Sequence, residues 1–121
     1  VVTAEASSSG SFVDLTTTGP SITLARAGDY VIEIGFDVTA AAAATDAAMS
    51  YAIGGTAASV ADRAATSTAG AGTNVPQSVV RGRRKTGIAA STAIVAKYKN
   101  TSAVSTTFSN RYMSIVPIRV V

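Results

Sequence analysis

The sequence contains no cysteine, no histidine and no tryptophan. Without cysteine there are no disulfides and no thiolate metal sites, and the redox compartment leaves no mark on the chain. Without histidine, the commonest general base and the commonest metal ligand are both missing. Charge is scarce: Asp, Glu, Lys and Arg make up 14% of the 121 residues. That suits a domain that hides much of its surface in an assembly better than a free-standing soluble enzyme. No apolar run approaches the roughly 20 residues of a membrane-spanning helix. No signal-peptide pattern is visible. The chain opens on Val rather than Met, which leaves processing or a longer parent chain open. The length corresponds to one domain with one core, and apolar alternation recurring to the last residue argues against disorder.

What is present is alternation. In Ala27–Ala40, Tyr30, Ile32, Ile34, Phe36 and Val38 share one side of a period-two pattern, and Val31, Glu33, Gly35, Asp37 and Thr39 the other. A β-strand sends alternate side chains to opposite faces, so this stretch presents one apolar and one mostly polar wall. A helix would put Ile32 and Phe36 opposite Tyr30, Ile34 and Val38. Five large apolar residues on one wall need a second layer over them.

Other strands follow in order. Phe12–Leu15 is a short candidate, Thr16–Pro20 a turn, and Ser21–Leu24 alternates with Ile22 and Leu24 on one face. Ala40–Ala48 is Ala-rich, with helix as the minor reading. Ala47–Ile53 alternates through Met49, Tyr51 and Ile53. Ala57–Arg63 is a possible strand, and Ala64–Asn74 reads as a surface loop. Pro76–Lys85 places Val79, Arg81 and Arg83 opposite Val80, Gly82 and Arg84. Thr92–Lys99 turns Ile94, Ala96 and Tyr98 inward and Val95, Lys97 and Lys99 outward. Asn100–Ser102 turns the chain, and Phe108–Val121 is the last strand, with Pro117 limiting how central its end can be. About eight strands without a confident helix predict an all-β fold, an antiparallel β-sandwich or barrel. Residues 1–10 are small and polar after Val1 and Val2 and read as an N-terminal arm or linker, with a single β-sandwich domain over 11–121.

Four stretches together resemble a known family: FVDLTTTGPSITL at Phe12–Leu24, GDYVIEIGFDV at Gly28–Val38, AKYKN at Ala96–Asn100 and FSNRYMSIVPI at Phe108–Ile118. They are similar to small jelly-roll domains of tailed-phage virion proteins, which occur in minor tail proteins, fibre heads and head-decoration proteins. The resemblance implies a jelly-roll β-sandwich of about eight strands that often trimerises.

Candidate chemistry is sparse. Arg81, Arg83, Arg84 and Lys85 form the one dense charge cluster. Nucleic acid binding is one reading, since Lys and Arg contact phosphates, and a solvated strand end is another, but the aromatic platform of single-strand binders is absent nearby; contact with an acidic surface of another virion protein is preferred to nucleic acid. Glu33 and Asp37 share a face, yet four residues of strand separate them by about 13 Å, beyond the roughly 5–9.5 Å of a hydrolase pair. Salt bridges to neighbouring Arg or Lys are expected instead. Ser7, Ser8 and Ser9 have no histidine to activate them, and a Ser–Lys pair with Lys85, Lys97 or Lys99 has no supporting motif. Asp29, Asp46 and Asp62 lack calcium-loop spacing, although a site shared between loops or subunits stays open. Tyr30, Tyr51, Tyr98 and Tyr112 are read as packing residues rather than a sugar platform.

The expected protein is therefore not an enzyme and takes no cofactor. The leading expectation is a homotrimeric head-decoration protein on the virion surface, gripping the major capsid protein or other virion proteins. A receptor-binding or fibre-head domain of a minor tail protein is the alternative, and it implies a longer parent chain before Val1. A carbohydrate-binding or adhesion module facing a host-surface glycan is the third. Neither nucleic acid nor membrane is an expected partner. Val1 and Val2 are expected to anchor the arm on a partner's sheet edge, beside the cations Arg81, Arg83, Arg84 and Lys85.

Overall fold

The structure, a computed structural model, describes residues 1–40, 47–67, 75–100 and 104–121. Eight strands carry the chain: β1 (Glu5–Ser7), β2 (Ser21–Thr23), β3 (Gly28–Ala40), β4 (Ala47–Ile53), β5 (Ala64–Thr66), β6 (Gln77–Ile88), β7 (Ala93–Asn100) and β8 (Thr106–Val120). They form two four-stranded sheets, ordered β1-β8-β3-β6 and β2-β7-β4-β5. β1 pairs with β8, β2 with β7, β3 with β6 and β4 with β5, all antiparallel. The chain is thus one long ribbon, folded back between β4 and β5. Winding that ribbon brings β3 beside β8 and β4 beside β7. This is the jelly-roll arrangement.

β3 is the strand around which the first sheet forms. It has neighbours along both edges, and Tyr30, Ile32, Ile34, Phe36 and Val38 are all buried, as their alternation predicts. The second sheet answers with Met49, Tyr51, Ile94, Ala96 and Tyr98, the inward residues of β4 and β7. The ring of Phe108 bridges the two layers, with its centroid 5.4 Å from Phe36 and 5.2 Å from Tyr98. Tilted contacts of this kind add to the area they bury.

Gly35 is required by a close approach. A β-carbon there would sit 2.2 Å from Cε1 of Tyr112, whose ring lies over the glycine on the outer face of the sheet. The Tyr112 hydroxyl then donates to Oε1 of Glu33 at 3.0 Å.

Several local expectations give way. Residues 1–10 are not a detached arm: Glu5–Ser7 is β1, an edge strand of the first sheet. Val1 also exchanges backbone hydrogen bonds with Arg111, its ammonium donating to the Arg111 carbonyl at 2.6 Å and its own carbonyl accepting at 2.8 Å. The cause is Arg111, whose side chain is 0% exposed. It donates to the carbonyls of Thr17 and Thr3, at 3.3 and 3.4 Å, and to Glu5 at 3.4 Å, and it lies 5.3 Å from the Tyr98 ring centroid. A buried cation demands such partners, and the N-terminal segment supplies them.

Phe12–Leu15, expected as a strand, makes one isolated bridge, Val13 with Tyr98, while Leu15 reaches the core. Ala57–Arg63, also expected as a strand, contains a 3-10 turn at Val60–Asp62, capped by the Ser59 hydroxyl, which accepts from the Ala61 N–H at 3.1 Å. Part of Ala64–Asn74, expected as a loop, is β5. Lys99, expected to face out, is 9% exposed, because Phe12 covers it at 5.2 Å from the ring centroid. The helix and turn readings at 41–46, the loop at 68–74 and residues 101–102 of the expected turn lie outside the described residues, while Asn100, expected in that turn, ends β7.

Candidate interaction surfaces

The cationic cluster falls on an edge strand. Among the described residues β6 is the last strand of its sheet, paired with β3 along one side. Charged side chains on an unpaired edge are a recurrent device against edge-to-edge aggregation. Alternation splits the cluster as the sequence predicts. Arg81, Arg83 and Lys85 lie opposite Ile34, Ile32 and Tyr30 of β3, on the inward side, while Arg84 lies opposite Val31 on the outer side.

On the inward side of this strand Val79 packs against the core, while Arg81 and Arg83 are exposed. The cations reach instead across the open side of the sandwich to the 3-10 turn. Arg81 donates to the Arg63 carbonyl at 2.8 Å and Arg83 to the Ala61 carbonyl at 2.9 Å. Lys85 forms a 2.6 Å ion pair with the nearly buried Asp62, and Arg83 stands 3.9 Å from the same carboxylate. A cleft of about 610 Å³ runs between this turn, β5 and β6, and Val60, Arg63, Val79, Arg81 and Arg83 are among its walls.

On the outer face, Arg84 pairs with Asp29 at 3.3 Å. The Gly87 N–H also donates to Asp29, and that bond, with the guanidinium, holds the carboxyl below its ordinary value of 3.8. Asp37 is held low as well, by the Ser78 hydroxyl at 2.5 Å and the Asn110 amide at 2.7 Å. Glu33 and Asp37 therefore take hydroxyl and amide partners, not the salt bridges expected for them. Glu5 is held below its ordinary 4.5, chiefly by its bonds from Thr17, whose N–H donates to it at 2.9 Å.

A carboxyl depressed in the folded state stabilises the fold above its unfolded value, and that contribution disappears as pH falls through the folded value. Glu5, Asp29 and Asp37 all act in this direction. The urea midpoint is expected to hold from pH 7 to about 5 and to fall steeply below about 4. A midpoint unchanged down to pH 3 would contradict these three sites.

The opposite side of the sandwich is apolar. Along this edge of β8, β1 pairs at Thr106–Phe108 and Val1 bonds to Arg111, and among the described residues no strand pairs with it beyond them. Val116, Ile118, Val120 and Val121 there are 55%, 49%, 40% and 75% exposed. Between β8 and β2 lies a groove of about 320 Å³ whose walls include Ile22, Leu24, Tyr30, Ile115 and Pro117. Pro117 sits on this half-open strand, in keeping with the limit that proline sets.

The remaining candidates disperse. Tyr30, Tyr51 and Tyr98 are buried, and Tyr112 is half exposed over Gly35, so the four make no common platform. The Tyr98 hydroxyl donates to the Gly19 carbonyl at 2.9 Å, and burial pushes its phenol up to about 12. Burial, then the Asp62 charge, raises that of Tyr51. Lys97 pairs with Asp14 at 2.8 Å. Asp29 and Asp62 are engaged by cations, and Asp46 lies outside the described residues. Among the described residues no group of three or more acidic side chains stands close enough to hold a metal ion. Val1 lies along β8, and Val2 is 80% exposed beside it.

The sequence missed Arg111 and the apolar groove. Comparison with protein-family models, with curated proteins and with solved structures finds no match.

Proposed function

We propose that this chain is a non-enzymatic structural protein of a bacteriophage virion, a homotrimeric decoration protein that reinforces the capsid from its surface. The carrying observation is the apolar half of β8, where Val116, Ile118 and Val121 stand about half or more exposed, while Ile115 and Pro117 line the groove to β2. Exposed apolar side chains gathered along one strand of a small domain favour a surface that another protein covers. Association of copies through it buries those side chains. The low charge of the whole chain, 14%, points the same way. The virion assignment draws on the similarity of the four sequence stretches to phage jelly-roll domains, and the jelly-roll strand order agrees with it.

In this role the protein works by mass action. A ligand that binds only the assembled shell stabilises it in proportion to the logarithm of its free concentration over Kd. Nothing in that role requires a reacting group.

Sedimentation equilibrium at micromolar concentration tests the trimer. The expected mass is three times the 12.1 kDa of the chain, and Val116→Asp with Ile118→Asp is expected to give monomers. A wild-type monomer overturns the homotrimer. Electron microscopy of intact particles tests the location: density of this size on the head supports decoration, and density confined to the tail fibres favours the fibre-head alternative.

A further inference from the structure

We infer that the cleft between β5 and β6 is a docking site for an extended acidic segment of a partner protein, which adds to the free edge of β6 as an antiparallel strand. The inference does not rest on the virion or trimer reading. It rests on the placement of charge and of unpaired backbone.

Arg81, Arg83 and Lys85 follow one another on the cleft side of β6, and one carboxylate, Asp62, stands against Arg83 and Lys85. Three cations against one anion leave this strand face net positive, on a chain whose net charge is +3. Such a focus raises the local concentration of an anionic partner and steers its approach.

The backbone gives the shape of that partner. β6 runs 12 residues and is bonded to β3 on one side, and among the described residues no strand pairs with its other side. An unpaired strand edge is a template for another extended chain. The same cations repel a second copy of β6 while attracting an acidic strand, so the edge discriminates by charge.

The side chains give its pattern. Arg81 and Arg83 are two residues apart on the cleft side, about 6.6 Å along the strand. Their bonds to the Arg63 and Ala61 carbonyls span the cleft and hold the guanidinium groups in place. Each guanidinium has five N–H donors in a planar fork, so one carbonyl bond leaves others for a carboxylate. Val79 follows two residues before Arg81 on the same side. An antiparallel partner therefore reads acidic, any, acidic, any, apolar from its N-terminus, with the residues facing Arg83, Arg81 and Val79 in turn.

The test is fluorescence anisotropy with a blocked, labelled peptide of threonines carrying two glutamates two apart and a valine two further on. Expected is saturable binding that weakens about ten-fold or more when both glutamates become glutamine, and by a similar factor in the Arg81→Gln, Arg83→Gln variant. Circular dichroism of that variant checks its fold. Should it fail to fold, the salt dependence of wild-type binding replaces it, with affinity expected to fall as ionic strength rises. N-methylation of alternate peptide residues separates strand addition from simple ion pairing. Methylation on the β6-facing edge is expected to abolish binding, and methylation on the other edge to spare it. Absence of binding, equal affinity for the glutamine peptide, or indifference to both methylations overturns the proposal. So does displacement of the peptide by a single-stranded oligonucleotide at matched charge, which would reveal a general polyanion site.

Discussion

Phe36→Ala is expected to lower the free energy of unfolding by about 3–5 kcal/mol. Phe36 is 2% exposed, and its ring packs on Phe108, which in turn packs on Tyr98. The three residues belong to β3, β8 and β7, so the stack passes from one sheet to the other. Truncation removes the transfer energy of the ring and leaves a cavity that two rigid sheets close poorly. The measurement is a urea titration, with the midpoint falling and the slope unchanged. A loss under about 1 kcal/mol would mean that the inner wall of β3 is not packed as described.

Arg111→Ala is expected to cost a similar amount, about 3–5 kcal/mol, for a different reason. The buried guanidinium joins the carbonyls of Thr3 and Thr17 and the carboxylate of Glu5 in part-buried contacts. Losing it takes a donor from each of those acceptors, Glu5 keeping its bonds from the Thr17 N–H, and leaves β1 without its latch. Replacing both partners by apolar residues is different, because it removes the charges together. Arg111→Met with Glu5→Leu is therefore expected to recover much of the loss, and a double-mutant cycle isolates the coupling. Arg111→Met alone behaving as wild type would show that the latch carries no stability. The same contacts bear on the N-terminus. Deleting Val1–Ser9 strips an edge strand and exposes a buried cation, so it destabilises the body of the domain as well as removing any contact to a partner.

How much of this the sequence shows depends on whether alternation holds. In β3, β4 and β7 it does, and Tyr30 to Val38, Met49 to Tyr51 and Ile94 to Tyr98 fall where it puts them. In β8 it breaks. Asn110 adopts φ 47°, and the register with β3 shifts between Gly35 and Asp37. One residue is inserted, so Phe108 and Arg111, three apart, both point inward. A strict period of two would send Arg111 out, which is why the buried latch is invisible in the sequence. β1 is missed for another reason. Its three residues carry no apolar pattern, and backbone bonds to β8 place it. The basic cluster is plain in the sequence, along with the split of Arg84 from Arg81 and Arg83. That it borders an open side of the sandwich is not, because edge position is a property of the whole topology.

That topology also bears on how the protein is made. β8 is the last of the eight strands to leave the ribosome, yet it lies between β1 and β3. Until it emerges, β1 has no partner and β3 has only β6. The apolar wall of β3 and the rings of Phe36 and Tyr98 must wait for Phe108 to complete the core. The domain therefore cannot assemble strand by strand during synthesis. It folds after its last strand is released, at the slow end of the range for small domains, because nearly every pairing joins distant parts of the chain.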